Sequence, residues 1–455
     1  MPSPPNPRGR GGRSGPTDGE PERAGPDAPT LIEHPEPDPH WSTNLSVIVA
    51  ARIAMSAGRA LAGVVVPIYL AERGFSAVAL AAYVLAVALV SAVLSTAIGT
   101  TADAVGRRIF LVVLPLITAA AAVVFAVARN PAALVVAGAL GSFGRGSGAG
   151  AGAIGPYQPA ESAYVTDEVP PAARNRAFGR LASASSLGAT VGSLLALSAP
   201  RHAHGAALAD FRVAFVLIAA ASAIAGLLAL WLEEAPRPLD GNRSRVRPHW
   251  PVRSRWLLYR LWVTNTLNGA AVGMFGPFLT YWLYRRYDVG PATVGVLYAV
   301  INVATIASSL SAAGLAKRWG LVRTVTVVRM AQAVLLVPMV LAPTFLWAGA
   351  VYLVRMVVQR IGMPLRQSYG LALADPSERA SVAALSNLPS QVTMAVSPLL
   401  TGYLFDEVSL SLPFEIAAGL QLANASSFWF LFRHHPPAEE RDDVIEPPPA
   451  PVEDP

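Results

Sequence analysis

Long apolar runs dominate this chain, each separated from the next by a short polar segment. A helix that crosses a bilayer needs about 20 mainly apolar residues, and twelve stretches meet that need. In the first half they run approximately from Leu45 to Leu70, Val78 to Ile98, Ile109 to Val127, Ala132 to Ile154, Ala177 to Ser198 and Phe211 to Leu232. The second half gives Trp256 to Tyr284, Thr293 to Ala313, Val322 to Leu341, Phe345 to Met363, Ser381 to Leu404 and Phe414 to Leu431. Glycine is so frequent around the fourth and fifth runs that their limits are the least sharp.

Composition agrees. Of 455 residues, 53% are hydrophobic and only 14% charged, with a mean hydropathy of +0.44; soluble domains carry about 25% charged residues. The chain therefore belongs in lipid. Cysteine is absent, which excludes disulfides, thiolate metal sites and cysteine nucleophiles. The net charge of +6 comes from arginine, since Lys317 is the single lysine. These arginines are spread through loops and helix ends rather than gathered on one face, so no nucleic-acid partner is expected.

The tails read differently from the body. Residues 1–44, rich in proline, glycine and arginine, hold no apolar run long enough for a core or a signal segment, and residues 433–455 are proline-rich and acidic. Both are expected to be disordered. Between them, residues 45–233 and 255–432 look like copies joined by a polar linker, 234–254. The loop GLAKRWGLVR after the eighth run echoes GTTADAVGRR after the second, Gly320 standing 214 residues beyond Gly106. Arg379, after the tenth, stands 205 residues beyond Arg174, after the fourth. Lys317 occupies the place of the aspartate in the later, degraded loop.

Arginine also sets the orientation. With the N-terminus inside, the inner loops hold fifteen Arg and Lys, from Arg107 and Arg108 through Arg174, Arg176 and Arg180 to Arg379. The outer loops hold six: Arg73, Arg129, Arg201, Arg212, Arg285 and Arg286. Both termini are thus expected in the cytoplasm, and the protein in the plasma (inner) membrane.

In GTTADAVGRR, Gly99 is expected to let two helix ends approach, Asp103 and Arg107 stand four apart on one helical face, and Gly106 permits a left-handed turn. The stretch resembles the loop between helices two and three of the major facilitator superfamily of transporters, G-x-x-x-D-x-x-G-R-R/K, read here as Gly99, Asp103, Gly106, Arg107 and Arg108. The resemblance covers all twelve runs. It implies an all-α integral membrane fold of 12 transmembrane helices, arranged as two pseudo-symmetric six-helix bundles that rock about a central site. It also implies that the motif is a gating latch, in which Asp103 meets Arg107, an acidic group near the end of the fourth helix and the N-terminus of the eleventh. Glu161 is the expected third member and Asp167 the alternative.

Cavity candidates follow from charge inside apolar runs, which is costly and needs a reason. Arg145 lies about 14 residues, or about 20 Å, into the fourth run, and is followed by GSGAGAG, which resembles in part the R-x-x-Q-G-x-G signature of proton-coupled exporters. Arg52 and Arg59 share one face of the first helix, with Arg52 close enough to the inner surface to snorkel. Arg355 occupies the corresponding depth in the tenth. Asn265, Asn268, Asn302, Asn387 and Gln391 are neutral helpers. No carboxylate falls in the middle of any run, Glu161 and Asp167 reading as inner-end residues, so the titrating group of a proton-driven transporter is not evident. Uncompensated arginines favour a substrate with a carboxylate or phosphate.

No enzyme signature, phosphate-binding loop or metal-ligand cluster is present, and no cofactor is expected. The leading expectation is a secondary transporter that exports a small organic molecule in exchange for protons, working as a monomer among membrane lipids. The alternative is an organic-anion uniporter or exchanger with an arginine-lined cavity. From another class comes a non-transporting membrane sensor or scaffold.

Overall fold

The computed structural model describes residues 40–144, 155–202, 207–234, 251–309, 321–375 and 378–433, and among these every regular element is helical. Six helices build the first three passes and the fourth and fifth: α1 His40–Glu72, α2 Ala77–Val105, α3 Arg108–Val127, α4 Pro131–Leu140, α5 Tyr157–Glu168 and α6 Pro171–Leu195. The sixth pass is α7 Arg212–Ala229. The second half follows with α8 Arg255–Phe275, α9 Leu279–Tyr287, α10 Pro291–Ser309, α11 Leu321–Val334 and α12 Leu336–Val340. It ends with α13 Phe345–Ala372, α14 Arg379–Ser386, α15 Leu388–Glu407 and α16 Leu412–Phe432. Six of the described helices are individually long and apolar enough to cross a membrane.

Several passes are made of two helices in line, and local chemistry explains the breaks. Pro277 and Pro389 lack the N–H that would continue the ladder, and the seventh and eleventh passes divide beside them, α8 from α9 and α14 from α15. The first described helix of the fourth pass ends at Leu140 and the chain turns through Ser142 (φ 56°) and Gly144 (φ 94°); its second described helix begins at Tyr157. Helix α5 therefore carries the fourth pass on to Glu168, beyond the Ile154 limit expected from sequence. Its Tyr157, Ala160, Glu161, Tyr164 and Val165 are all buried.

Each half is held by close helix crossings. In the first, α1 packs on α6 and α7, and α3 on α7; in the second, α8 packs on α15 and α16, and α11 on α13 and α16. A Cβ at Gly188 or Gly192 of α6 would lie 2.3 or 2.0 Å from the carbonyls of Ile53 and Ala57 in α1. Gly269 and Gly273 of α8 meet Ser390 and Met394 of α15 in the same way, at 2.4 and 2.8 Å. Both are small-xxx-small crossings, in which backbone lies on backbone. The halves meet along α2 with α15, α6 with α10 and α1 with α9.

Candidate functional site

Two ends of the bundle differ. At the end formed by residues 72–77, 200–202, 284–293 and 406, hydrogen bonds cross from one half to the other. The Asp406 carboxylate, at the end of α15, accepts from the backbone N–H of Ala77 (3.0 Å) and Val78 (2.9 Å), the first residues of α2. The hydroxyl of Tyr284 donates to Glu72. Gly290 N–H donates to the Arg201 carbonyl at 2.7 Å, and Ala292 N–H to that of Pro200 at 3.3 Å. Deeper in the seam, Asn302 donates to Ser193 Oγ at 3.3 Å. Aromatic rings close the core beside it, with Phe405 against Phe278 and Tyr281 at centroid distances of 5.4 and 6.0 Å.

Toward the arginine-rich end the picture changes. Thr96, Thr100 and Gln391 are exposed on α2 and α15, the helices that touch at the sealed end. A Cβ at Gly99 would meet nothing within 4 Å. The close approach expected at Gly99 is thus not made in this conformation, because α2 faces open space there.

The motif between α2 and α3 is built around a carboxylate that sequence reasoning missed. Glu234, just past α7, accepts from the N–H of Arg107 (3.0 and 3.1 Å to its two oxygens) and of Arg108 (3.2 Å), capping the start of α3. Gly106 turns the chain with φ 100°, and a Cβ there would sit 3.0 Å from Glu234 Oε2. The positive φ requires glycine, and the close carboxylate leaves little room for a side chain. The Arg107 guanidinium pairs with Asp167 at 2.5 Å and donates to the Ala163 carbonyl, while that of Arg108 donates to the Leu230 carbonyl. Asp103 is part of α2, but its side chain lies outside the described residues. Of the two acidic groups weighed from sequence, Asp167 stands beside Arg107.

Glu161 sits elsewhere. It is 1% exposed and pairs with Arg52 of α1. Its Oε1, the Nε of Arg52 and the hydroxyl of neighbouring Tyr157 are buried with no hydrogen-bond partner among the described residues. Arg52 is itself buried rather than snorkelling to the surface, because α5 brings a carboxylate to it. Sequence puts Glu161 at the inner end of the fourth run; α5 buries that end against α1 and so brings an acidic partner to Arg52.

Arg59 donates to the Ser142 carbonyl at 3.0 Å, and Ser142 Oγ shares a hydrogen bond with Ser91 at 3.0 Å. It braces the break in the fourth pass. Arg145 lies outside the described residues. In the second half, Arg355 is 2% exposed, stacks 4.3 Å from the Phe275 ring and donates Nε–H to the Gln332 carbonyl, leaving Nη1 without a hydrogen-bond partner among the described residues. Asn265 donates to the Ser386 carbonyl at 2.7 Å, across the break in the eleventh pass. Asn268 accepts from Asn424 at 3.5 Å, and Asn424 accepts from Arg329 at 2.6 Å. Asn387 joins α14 to α15 and is exposed. Arg329 was legible by the rule applied to Arg145, a charge within an apolar run. Glu234, Asp406 and Asn424 carried no such mark.

A second cap mirrors that of Glu234. The Glu378 carboxylate accepts from the N–H of Val252 (2.9 Å), Arg253 (3.1 Å) and Ser254 (2.7 Å) ahead of α8. Partial desolvation pushes its pKa up, but these bonds together outweigh it and hold the carboxyl below its ordinary value.

Comparison with known proteins agrees with this architecture. The profile of the Major Facilitator Superfamily matches residues 48–388 and 261–454. The fold is similar to that of the nucleoside transporter NupG, with a TM-score of 0.65, 12% identity and coverage of 86% of this chain and 99% of that one. A bacterial homolog of the human lysosomal transporter Spinster, inward-facing and occupied, gives 0.63, 16%, and 87% and 97%. A peptide transporter in complex with sulfate gives 0.65, 15%, and 86% and 94%. No curated protein matches. The multi-pass helical architecture and the matched profile together place this chain in the major facilitator superfamily.

Proposed function

We propose that this protein is a secondary transporter working by alternating access, which exports a small organic molecule in exchange for protons with Glu161 as the titrating group. The observation that carries this reading is the buried Arg52–Glu161 pair. A carboxylate with one oxygen unsatisfied is a costly anion, so its proton occupancy responds to small changes around it. Ionised Glu161 would offer its second oxygen to a donor or cationic group of the substrate on the inner side. Protonation from the outer side would remove that acceptor and release the group, so that proton and substrate occupy the site in turn, as exchange requires. The arginine bias supports a cytoplasmic open end and cytoplasmic termini, and with that orientation this conformation is inward-facing. Asp103, Arg107 and Asp167 would form the latch that closes that end in the opposite state, and residues 45–233 and 255–432 would be the two rocking units.

The test is flux in proteoliposomes with and without a proton gradient. In Glu161→Gln, gradient-driven movement is lost while substrate-for-substrate exchange persists. Gradient-driven flux that survives this change would overturn the assignment. A second reading, an organic-anion exchanger, is favoured by the half-satisfied guanidinium of Arg355. It predicts flux that ignores the proton gradient and collapses in Arg355→Gln.

A further inference from the structure

On the lipid-facing side of the seam, near the sealed end, lies a groove of about 550 Å³ between the end of α6, α10 and α13. Its walls are almost wholly apolar, with Leu197 from the first half and Val296, Val300, Leu346 and Leu353 from the second. Leu346 is 79% exposed. Such a groove on a bilayer-spanning surface opens onto acyl chains. Among the described residues that line it, the one charge is Arg201. The Arg201 backbone is fixed, because its carbonyl accepts from Gly290 N–H at 2.7 Å and from the Thr293 hydroxyl at 3.3 Å. Its guanidinium is exposed and makes no hydrogen bond or ion pair with the described residues.

We infer that this groove is a binding site for one anionic phospholipid, its acyl chain along Leu197, Val296 and Leu353 and its phosphate on the Arg201 guanidinium. A guanidinium at the membrane edge pairs with phosphate in a forked geometry, and a headgroup without a compensating amine leaves that pairing unopposed. The site has one wall from each half. It is assembled only while α6 and α10 are together, the arrangement that the Arg201–Gly290 bond fixes. A lipid there binds the sealed state better than the parted one and shifts the equilibrium toward it by that difference in affinity. The inference does not depend on which substrate or ion is moved.

The experiment is native mass spectrometry of the full chain in detergent, titrated with phosphatidylglycerol, phosphatidylethanolamine or glycerol phosphate. One phosphatidylglycerol is retained, at least about fivefold more tightly than phosphatidylethanolamine, and glycerol phosphate does not displace it. Arg201→Gln weakens retention about tenfold by removing the cation, and Ala350→Trp does so by filling the groove from an exposed position. Equal retention of the two lipids by the unaltered protein overturns the inference, as does unchanged retention in Ala350→Trp or displacement by glycerol phosphate alone. A melting temperature within about a degree of the unaltered protein confirms that either variant is folded.

Discussion

Asp406 is the residue whose removal speaks most directly to the alternation between states. Its carboxylate caps α2 from the other half with two backbone hydrogen bonds, 3.0 and 2.9 Å, and it also faces the positive end of a long helix. A charge at an exposed helix terminus gains about 0.3 to 1 kcal/mol, and hydrogen bonds to a charged group about 1.5 to 3 kcal/mol before discounting for exposure. Asp406 is exposed, so together they amount to about 1 to 2 kcal/mol. All of it belongs to the sealed state, because the donors and the acceptor are on different halves. Asp406→Asn should therefore shift the sealed-to-open ratio by a factor of about 5 to 30. The protein has no cysteine, so single cysteines at Ala209 and Arg285 accept spin labels without background. Double electron–electron resonance should then show a second, longer distance in Asp406→Asn and more of it in Asp406→Ala. Unchanged distances in both variants would mean that the capping bonds do not hold this end shut.

Other consequences are open to simpler assays. Glu161→Leu alone should destabilise the protein by about 3 to 5 kcal/mol, since it strands a buried guanidinium; Arg52→Met with Glu161→Leu should recover most of that in thermal unfolding. Gly192→Ala should cost about 1 to 3 kcal/mol, because its Cβ would stand 2.0 Å from the Ala57 carbonyl and force α6 from α1; an unchanged melting temperature would contradict that crossing. Glu378 has its pKa depressed on folding, so its contribution is present above the unfolded value and lost as pH falls through the folded one. The unaltered protein should thus melt above Glu378→Gln at pH 7, and the two should converge in acid. A gap that persists at low pH would refute the role of the carboxylate.

How much of this was legible depended on whether a residue's role is set by its own surroundings in the chain or by a distant partner. Twelve apolar runs and the GTTADAVGRR loop announce the architecture, since bilayer thickness imposes length directly on sequence. Gly106 announces a turn, but the carboxylate that crowds that turn comes from Glu234, 128 positions away. Glu161 and Asp167 look alike in sequence, both acidic and both after a glycine-rich break. Only their places on α5 separate them, one turned inward to Arg52 and the other left beside Arg107. Asp406 reads as an ordinary loop-end acid, because its donors are backbone groups that leave no trace in side-chain identity.

The glycine crossings of α6 on α1 and of α8 on α15 have a consequence for how such a transporter diversifies. Where backbone lies on backbone, small hydroxyls complete the contact, Ser56 with Ser185 across α1 and α6 and Thr393 with the Thr266 carbonyl across α8 and α15, and the larger side chains on the other faces take no part in it. Side chains that face the space between the halves are then free to vary in size and charge without loosening the units that must rock. Selectivity and mechanics are written in separate sets of positions, and a change of substrate asks nothing of the hinge.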